Sequence, residues 1–161
     1  MYLPPAVSEL EAFPRQPACP KELPRKDSSS LDASIKLLQS AAQSLEQGVN
    51  CLYGIEACSE VLDGKGIVIG DSLMHECLCT RAALFLKRKW KNDVHMAIRD
   101  CHRVISMDAL SFKPYYYLAE AFLQLGKYQE ALDYATAAHC VAPSNSEVSE
   151  LVKLIKEQLH A

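Results

Sequence analysis

The chain has 161 residues, with 17 Lys plus Arg against 20 Asp plus Glu, and a formal net charge of −3. This length fits one domain. The near-neutral charge argues against a general binder of nucleic acids or of anionic membranes, which needs a clear basic excess. Hydrophobic residues make up 49% of the sequence, which is enough for a packed core, but no apolar run approaches the roughly 20 residues of a membrane span. We therefore expect no nucleic-acid partner and no membrane partner.

The N-terminal segment, residues 1–30, is predicted to be a disordered arm. It holds six of the eight prolines in the chain. Each proline removes a backbone donor and disfavours the helical conformation of the preceding residue, so no helix of useful length is expected there. From Leu31 onward, apolar residues recur at helical spacing. The folded domain is therefore predicted to cover residues 31–161.

Seven cysteines, an odd number at irregular spacings, lie mostly within the apolar helical patterns. A disulfide framework in a short secreted chain would favour an even number, whereas a free buried thiol behaves as a small hydrophobic group. The first residues also lack a basic segment followed by an apolar one, so no secretory signal is predicted. We expect free thiols and a cytoplasmic or nuclear location, or both.

Two helical units are predicted before residue 110. The first covers about residues 31–62, with a turn at Gly48. A glycine-containing loop, residues 63–72, then precedes a helix predicted to begin near Leu73, capped by Asp71 or Ser72. The second unit, about residues 72–109, has three additional residues in its turn around Trp90. Both units place small or apolar residues at helical spacing: Leu37, Ala41, Gly54, Cys58 and Val61 in the first, and Leu78, Ala82, Phe85, Ala97, Cys101 and Val104 in the second.

The third unit, about residues 111–144, has the strongest pattern. Its first helix is predicted to end at Gly126 and its second before Pro143, and its apolar positions are Tyr115, Leu118, Ala119, Phe122, Tyr128, Ala131, Ala135 and Ala138. Antiparallel helices approach closely only where small residues lie at the contact. Ala119 and Ala131 are therefore predicted at the crossing, and Tyr115 in the core. The unit resembles a tetratricopeptide repeat.

The sequence that follows the third unit predicts a capping helix over residues 145–160. Ser144 or Asn145 is its predicted N-cap, and its apolar side chains share one face that would cover the last repeat. The predicted fold is all-α: a right-handed superhelical solenoid of three tetratricopeptide-type helix pairs plus this C-terminal capping helix, with seven helices in total.

Two segments, RAALFLKRKWKNDVHMAIRDC and YYYLAEAFLQLGKYQEALDYATAAHCVAPSN, further resemble the repeat segment of WD and tetratricopeptide repeat proteins, particularly plant-type members. In that family the repeats accompany a WD-repeat β-propeller, and the whole protein is a substrate receptor for cullin-RING ubiquitin ligases. The present sequence has no Trp-Asp dipeptide and no pattern of regular strands. The resemblance therefore implies a protein-binding block that would join a ligase assembly only through a propeller missing from this sequence.

Helical repeats bind partners on the concave surface lined by the first helix of each pair. The register predicts a partner-binding groove formed by Lys113, Tyr116, Tyr117, Glu120, Gln124, Glu76, Thr80 and Lys87, with Cys79, Ala83, Gln39, Ala42 and Glu46 on the same face. Tyr116 and Tyr117 are equally consistent with partner anchors and with packing residues. The predicted function is an interaction scaffold that holds a protein or peptide segment. The alternative is a structural block packed permanently on a propeller or a sister chain.

A chaperone C-terminal tail is not the expected partner. Many three-repeat domains of this type clamp the tail carboxylate with two Lys, two Asn and an Arg. The corresponding residues here are Leu38, Ala42, Thr80, Lys113 and Tyr117, of which only Lys113 matches. Without the other cations and amides, a buried carboxylate would lack compensation.

The remaining candidate sites are weaker. His75, Cys77 and Cys79 suggest a metal cluster, but residues two apart on a helix point in nearly opposite directions, so no metal site is predicted. The basic run of residues 87–91 either contacts an acidic partner or is the solvated end of a helix. No group of side chains resembles a catalytic site. We expect no enzymatic activity and no cofactor.

Overall fold

The computed structural model describes residues 23–63 and 69–161, and within these ranges it contains seven α-helices and no strand. The helices are α1 (Leu23–Gln47), α2 (Cys51–Leu62), α3 (Gly70–Arg88), α4 (Asp93–Met107), α5 (Phe112–Gln124), α6 (Tyr128–Val141) and α7 (Ser146–His160). The predicted all-α fold of seven helices is confirmed. None of the helices in these two ranges is long and apolar enough to cross a membrane.

Helix α1 begins at Leu23, inside the segment that the sequence predicted to be a disordered arm. Pro24 is the second residue of the helix. Proline is tolerated there because the first N–H groups of a helix have no intrahelical acceptor. The first helix therefore begins before residue 31, where the sequence predicted the folded domain to start. Residues 1–22 are outside the described residues, and for them the arm stays a prediction.

The turns between paired helices use left-handed backbone conformations. Gly48 (φ 71°) and Gly126 (φ 77°) provide them after α1 and α5, since glycine adopts positive φ at little cost. After α3, two residues with side chains, Lys89 and Asn92, adopt the same region. The predicted turns at Gly48 and Gly126 thus have a direct conformational reason.

The ends of the helices differ in part from the sequence prediction. Helix α3 begins at Gly70 rather than near Leu73, so Asp71 and Ser72 lie in its first turn and neither is the N-cap. A carboxylate in a first turn is still favourable beside the helix dipole. The sequence offered Ser144 or Asn145 as the N-cap of α7, and the structure shows Asn145. Its side-chain oxygen accepts a hydrogen bond from the Val148 N–H at 3.1 Å.

Each helix packs against the next, and α3 also contacts both α1 and α5. Small residues allow this close packing: Ala82, Ala119 and Ala131 are all 0% exposed. At Gly54 an added Cβ would lie 2.8 Å from Leu84 Cδ1, so the buried Leu84 side chain would have to shift to accept a larger residue there. The first helices of the three pairs thus form an inner layer.

Tyr115 does not occupy the core position that the sequence pattern assigned to it. Its ring is half-buried, and its hydroxyl donates a hydrogen bond to the Ala109 carbonyl at 3.0 Å in an exposed position. Pro114 and Leu118, on either side, are fully buried instead. The core stripe of α5 therefore runs through Pro114 and Leu118, and Tyr115 lies at its edge.

Candidate partner-binding groove

A groove of about 580 Å³ lies along the inner layer of helices, and residues of four helices and their caps line it. We call this cavity the groove. Its lining residues are Leu45, Glu46 and Gly48 at the end of α1, Ala83, Leu86, Lys87 and Lys89 at the end of α3, Tyr116, Tyr117, Glu120 and Gln124 on α5, and Glu147 on α7.

The two tyrosines on α5 pack and line the groove at the same time. Their rings meet edge to face, with centroids 5.7 Å apart. Tyr117 packs against the core near Leu118, and Tyr116 packs against the cluster of Ala119 and Leu151. The sequence left open whether Tyr116 and Tyr117 anchor a partner or pack in the fold. The two roles are compatible, because each ring is half-buried and still borders the groove.

Both tyrosine hydroxyls remain protonated at physiological pH. Burial, with the nearby charge of Glu120, raises the pKa of Tyr116 to about 12. Burial also raises the pKa of Tyr117 well above its usual range. A protonated phenol can donate and accept hydrogen bonds. The groove thus offers a partner two rigid rings with polar tips, the type of side chain enriched at binding hot spots.

Glu120 is a half-buried carboxylate between charges of both signs. Burial raises its pKa, the neighbouring Glu147 raises it further, and Lys87 and Lys89 lower it. Among the side chains of residues 31–63 and 69–161, ion pairs join only Arg81 to Asp100 and Arg88 to Asp93. Within these ranges, Glu120 and the two groove lysines border the cavity without an ion-pair partner.

Gln124 fixes the position of α5 against α3. Its side-chain amide donates a hydrogen bond to the Leu86 carbonyl at 3.1 Å. Leu86 lies in the last turn of α3, where carbonyl groups lack an intrahelical donor. Gln124 was predicted as a partner contact, and the structure gives it this positioning contact as well.

A second cavity, of about 470 Å³, adjoins the groove where α5 meets α7. Its lining residues are Tyr116, Glu120, Glu147, Glu150, Leu151 and Leu154. We call it the acidic pocket, because it combines three carboxylates with an apolar base.

Six of the eight predicted site residues lie at or beside the groove. Lys87, Tyr116, Tyr117, Glu120 and Gln124 line it, and Lys113 lines a small adjoining cavity with Tyr116, Tyr117 and Glu147. Glu76 borders a separate depression with Asp71, His75 and Asp108. Thr80 is only 8% exposed, because the middle of α3 is enclosed by its neighbours.

The sequence reasoning missed several groove residues. Of the wider predicted face, Glu46 and Ala83 line the groove, but Leu45, Gly48, Leu86, Lys89 and Glu147 were not foreseen. Lys89 belongs to the basic run that the sequence did single out. Glu147 lies on the capping helix, which the prediction treated only as a cover for the last repeat.

The cysteine residues of α3 lie in the core. Cys77 and Cys79 are both buried, and burial raises the pKa of these thiols to about 11 and about 12. Within the described ranges, no three metal-binding side chains are grouped so that they could hold an ion.

The basic run at the end of α3 has a defined geometry. Arg88 donates two hydrogen bonds of 2.8 Å to the Asp93 carboxylate and lies 4.0 Å from the ring centroid of Trp90. Trp90 itself is 59% exposed. One cation of the run is therefore used within the fold, while Lys87 and Lys89 face the groove.

Comparison with known proteins agrees with this architecture. Residues 114–161 match the family model of the Fis1 C-terminal tetratricopeptide repeat. Two helix pairs precede this segment. The described residues therefore fold as a solenoid of helix pairs that is similar to a tetratricopeptide-repeat domain.

Curated relatives give a more specific similarity. The repeat domain is 53% identical over 137 residues to Protein ALTERED SEED GERMINATION 2 of Arabidopsis thaliana, a match that covers 83% of this chain and 18% of that protein. It is also 40% identical over 53 residues to the human WD and tetratricopeptide repeats protein 1, covering 33% of this chain and 8% of that protein. The domain thus resembles WD and tetratricopeptide repeat proteins, and it spans less than a fifth of the length of these relatives.

Solved structures share the fold at low sequence identity. The Hsp90 co-chaperone Cns1 of Saccharomyces cerevisiae is 22% identical with a TM-score of 0.70, covering 80% of this chain and 40% of that chain. The first repeat domain of Spaghetti (RPAP3), solved bound to the HSP90 peptide SRMEEVD, is 19% identical with a TM-score of 0.64, covering 80% and 94%. These similarities show an all-helical repeat solenoid.

Proposed function

We propose that the repeat domain is a protein–protein interaction scaffold that holds a segment of a partner protein in the groove. The observation that carries the proposal is the composition of the groove: two half-buried tyrosine rings lie beside charged side chains that pair with no other side chain the structure describes. Such groups are favourable only if water or a partner solvates them. The peptide-bound Spaghetti (RPAP3) domain supports the proposal, since that solenoid accommodates a short segment. The proposal assigns no catalytic reaction to the domain.

The finer part of the proposal is that this scaffold belongs to a substrate receptor of a cullin-RING ubiquitin ligase. It is supported by the similarity to the Arabidopsis protein and to WD and tetratricopeptide repeats protein 1. Contact with the ligase would require a propeller outside the present sequence. A cytoplasmic or nuclear location is part of the same proposal, and the six described cysteines, which are all free thiols, fit a reducing compartment.

A structural role is the second candidate, in which the repeats pack permanently on a propeller or a sister chain. The observation that favours it is the exposure of large apolar side chains outside the groove: Leu110 is 79% exposed and Tyr53 is 56% exposed. Exposed apolar surface often marks an interface. If this role is correct, the isolated domain should self-associate, and mutation of Leu110 and Tyr53 to Ser should restore a monomer in light scattering.

The binding proposal is tested by two groove variants and a matched control. Tyr116→Ala and Tyr116→Ala/Glu120→Lys should weaken partner capture by about 1–2 kcal/mol or more, as expected for an interface anchor. Tyr128→Ala removes a half-buried tyrosine at the start of α6, outside the lining of the groove, and should leave capture unchanged. Quantitative mass spectrometry of proteins retained by each variant measures capture, and circular dichroism checks helicity. Equal retention by wild type and the folded double variant would show that the groove is not the working surface.

A further inference from the structure

The acidic pocket has a charge and a shape that specify one kind of side chain. Three carboxylates, from Glu120, Glu147 and Glu150, border it, and no cationic residue is among its lining residues. Its apolar lining comes from the ring of Tyr116 and from Leu151 and Leu154. Leu154 is 44% exposed, so part of this apolar surface is open to a ligand.

The carboxylates of the pocket have no cationic partner in the part of the chain that the structure describes. The charged groups acting on Glu120 are Glu147 on α7 and, from the end of α3, Lys87 and Lys89. The two lysines line the groove together with Glu120, but neither forms an ion pair with a carboxylate of residues 31–63 or 69–161. The lysines thus offset part of the effect of Glu147 on Glu120 without pairing with it, and a cation bound between the two carboxylates would relieve the repulsion that remains.

Building on the proposed function, we propose that the groove selects an extended peptide that carries an arginine or a lysine, and that this basic side chain occupies the acidic pocket. Arginine and lysine combine a long apolar stem with a cationic head. The stem would lie on Leu151 and Leu154, and the head would pair with the carboxylates. Tyr116 adds an aromatic face toward which a cation is attracted.

The same charges disfavour an acidic segment at this end of the groove. A peptide with aspartate or glutamate in the pocket would face three like charges, and such juxtaposition opposes binding. Lys87 and Lys89, at the α3 end, favour an acidic residue elsewhere in the same peptide. The groove should therefore favour peptides with a particular order of basic and acidic residues, in addition to requiring a basic residue in the acidic pocket.

Selection from a displayed library of random peptides tests the inference on the full chain. Wild-type protein should enrich peptides with arginine or lysine at one fixed position. The best peptide should lose affinity about tenfold on Glu147→Gln/Glu150→Gln, because charge-assisted hydrogen bonds are lost. Replacing its basic residue with glutamine should give a similar loss, and combining both changes should add little. Glu56→Gln/Glu60→Gln, which alters two exposed carboxylates of α2, should not change the affinity.

Charge reversal gives the sharper result. Since Glu147 and Glu150 are exposed, the variant Glu147→Lys/Glu150→Lys should fold and should select acidic residues at the same peptide position. Peptides that require Tyr116 but show no basic position, or equal or tighter binding of a selected peptide whose basic residue is replaced with glutamate, would overturn this inference and leave the proposed function intact. Retention of no peptide, or only of peptides insensitive to Tyr116→Ala, would overturn the proposed function and the inference together.

Discussion

Arg81 and Asp100 form an ion pair in the interior that joins three helices. The guanidinium donates two hydrogen bonds of 2.7 Å to the Asp100 carboxylate on α4 and a third, of 3.1 Å, to the Ser59 hydroxyl on α2. The Asp100 side chain is only 2% exposed. The hydrogen bonds that Arg81 donates to Asp100 raise the pKa of Arg81 above its usual value. Water therefore has almost no access to the Asp100 carboxylate, and Arg81, whose side chain is 14% exposed, would lose its main hydrogen-bond acceptor if Asp100 were removed.

Removal of the Asp100 carboxylate should therefore be strongly destabilising. We expect Asp100→Ala to reduce the free energy of unfolding by about 3–5 kcal/mol, because an uncompensated cation is left inside. The double variant Arg81→Met/Asp100→Leu should recover most of that loss, since no charge remains buried. Urea denaturation followed by circular dichroism measures both. Equal stability of the single and double variants would show that the uncompensated charge of Arg81 is not the cause of the loss.

The hydrogen bonds that Asp93 accepts should make the stability of the fold depend on pH. Burial alone would raise its pKa, but hydrogen bonds from Arg88 and from the Trp90 N–H outweigh burial and hold the pKa below its usual value. A carboxyl with a depressed pKa in the folded state stabilises above its unfolded pKa of about 3.9, and this contribution is lost as the pH falls through the folded value.

We therefore expect Asp93→Asn to be less stable than wild type at neutral pH, with a difference that shrinks below about pH 4. Asp32→Asn, which changes an exposed carboxyl on α1, should show no comparable loss at neutral pH. Urea denaturation at a series of pH values measures the difference. A gap between wild type and Asp93→Asn that is the same at pH 3 and pH 7 would argue against the ion pair as its cause.

At the scale of the helices, most of the architecture was predictable because each helix pair follows local rules. Small residues at the crossings and glycine at the turns placed the pairs, and these signals come from neighbouring residues alone. The start of α1 was missed because the rule against proline does not apply in the first turn, where Pro24 lies. Tyr115 was misplaced because it falls at a helical spacing that is otherwise occupied by apolar core residues. Its hydroxyl instead donates a hydrogen bond to the Ala109 carbonyl at the edge of the core.

The crossing of α5 and α6 provides a test of packing between two helices. Ala131 is 0% exposed and belongs to a buried cluster with Ala119, Ala135, Leu151 and Ile155. Ala131→Leu should cost about 1–3 kcal/mol, because the added atoms force the helices apart. Thr136→Leu, at an exposed position of the same helix, should have little effect. Thermal denaturation of both variants measures the difference, and an unchanged melting temperature for Ala131→Leu would show that the crossing lies elsewhere.

At the scale of the whole molecule, the groove was only partly predictable because four helices build it. The register of α5 correctly placed Tyr116, Tyr117 and Glu120 at its surface. Glu147 and Lys89 reach the same cavity from the capping helix and from a turn, and their approach depends on how the pairs stack. That stacking is set by long-range packing, which a pattern along one helix does not contain. Thr80 was misplaced for the same reason, because neighbouring helices cover the middle of α3.

The stacking also determines how the molecule opens. One buried cluster contains residues of α1 through α5, including Cys58 on α2 and Cys101 on α4. Burial raises the pKa of the Cys58 thiol to about 12, and it raises that of Cys101 further above the usual range. Cys140, on α6, is exposed. A shared core implies that the first two helix pairs lose their packing together, since neither pair can bury its apolar face alone.

Thiol labelling should therefore separate these cysteines into two groups. We expect Cys140 to react at once with a thiol reagent near pH 8, and Cys58 and Cys101 to react slowly and at equal rates, limited by opening of the shared core. Mass spectrometry of labelled peptides over time gives each rate, and Cys140→Ser provides a control without the fast site. A low concentration of urea should increase the labelling rates of Cys58 and Cys101 by the same factor, because both thiols become accessible through the same opening and thus the same exposed surface. Much faster labelling of Cys58 than of Cys101 would instead show that the first helix pair opens by itself, and the domain would then be a row of separable units rather than one cooperative core.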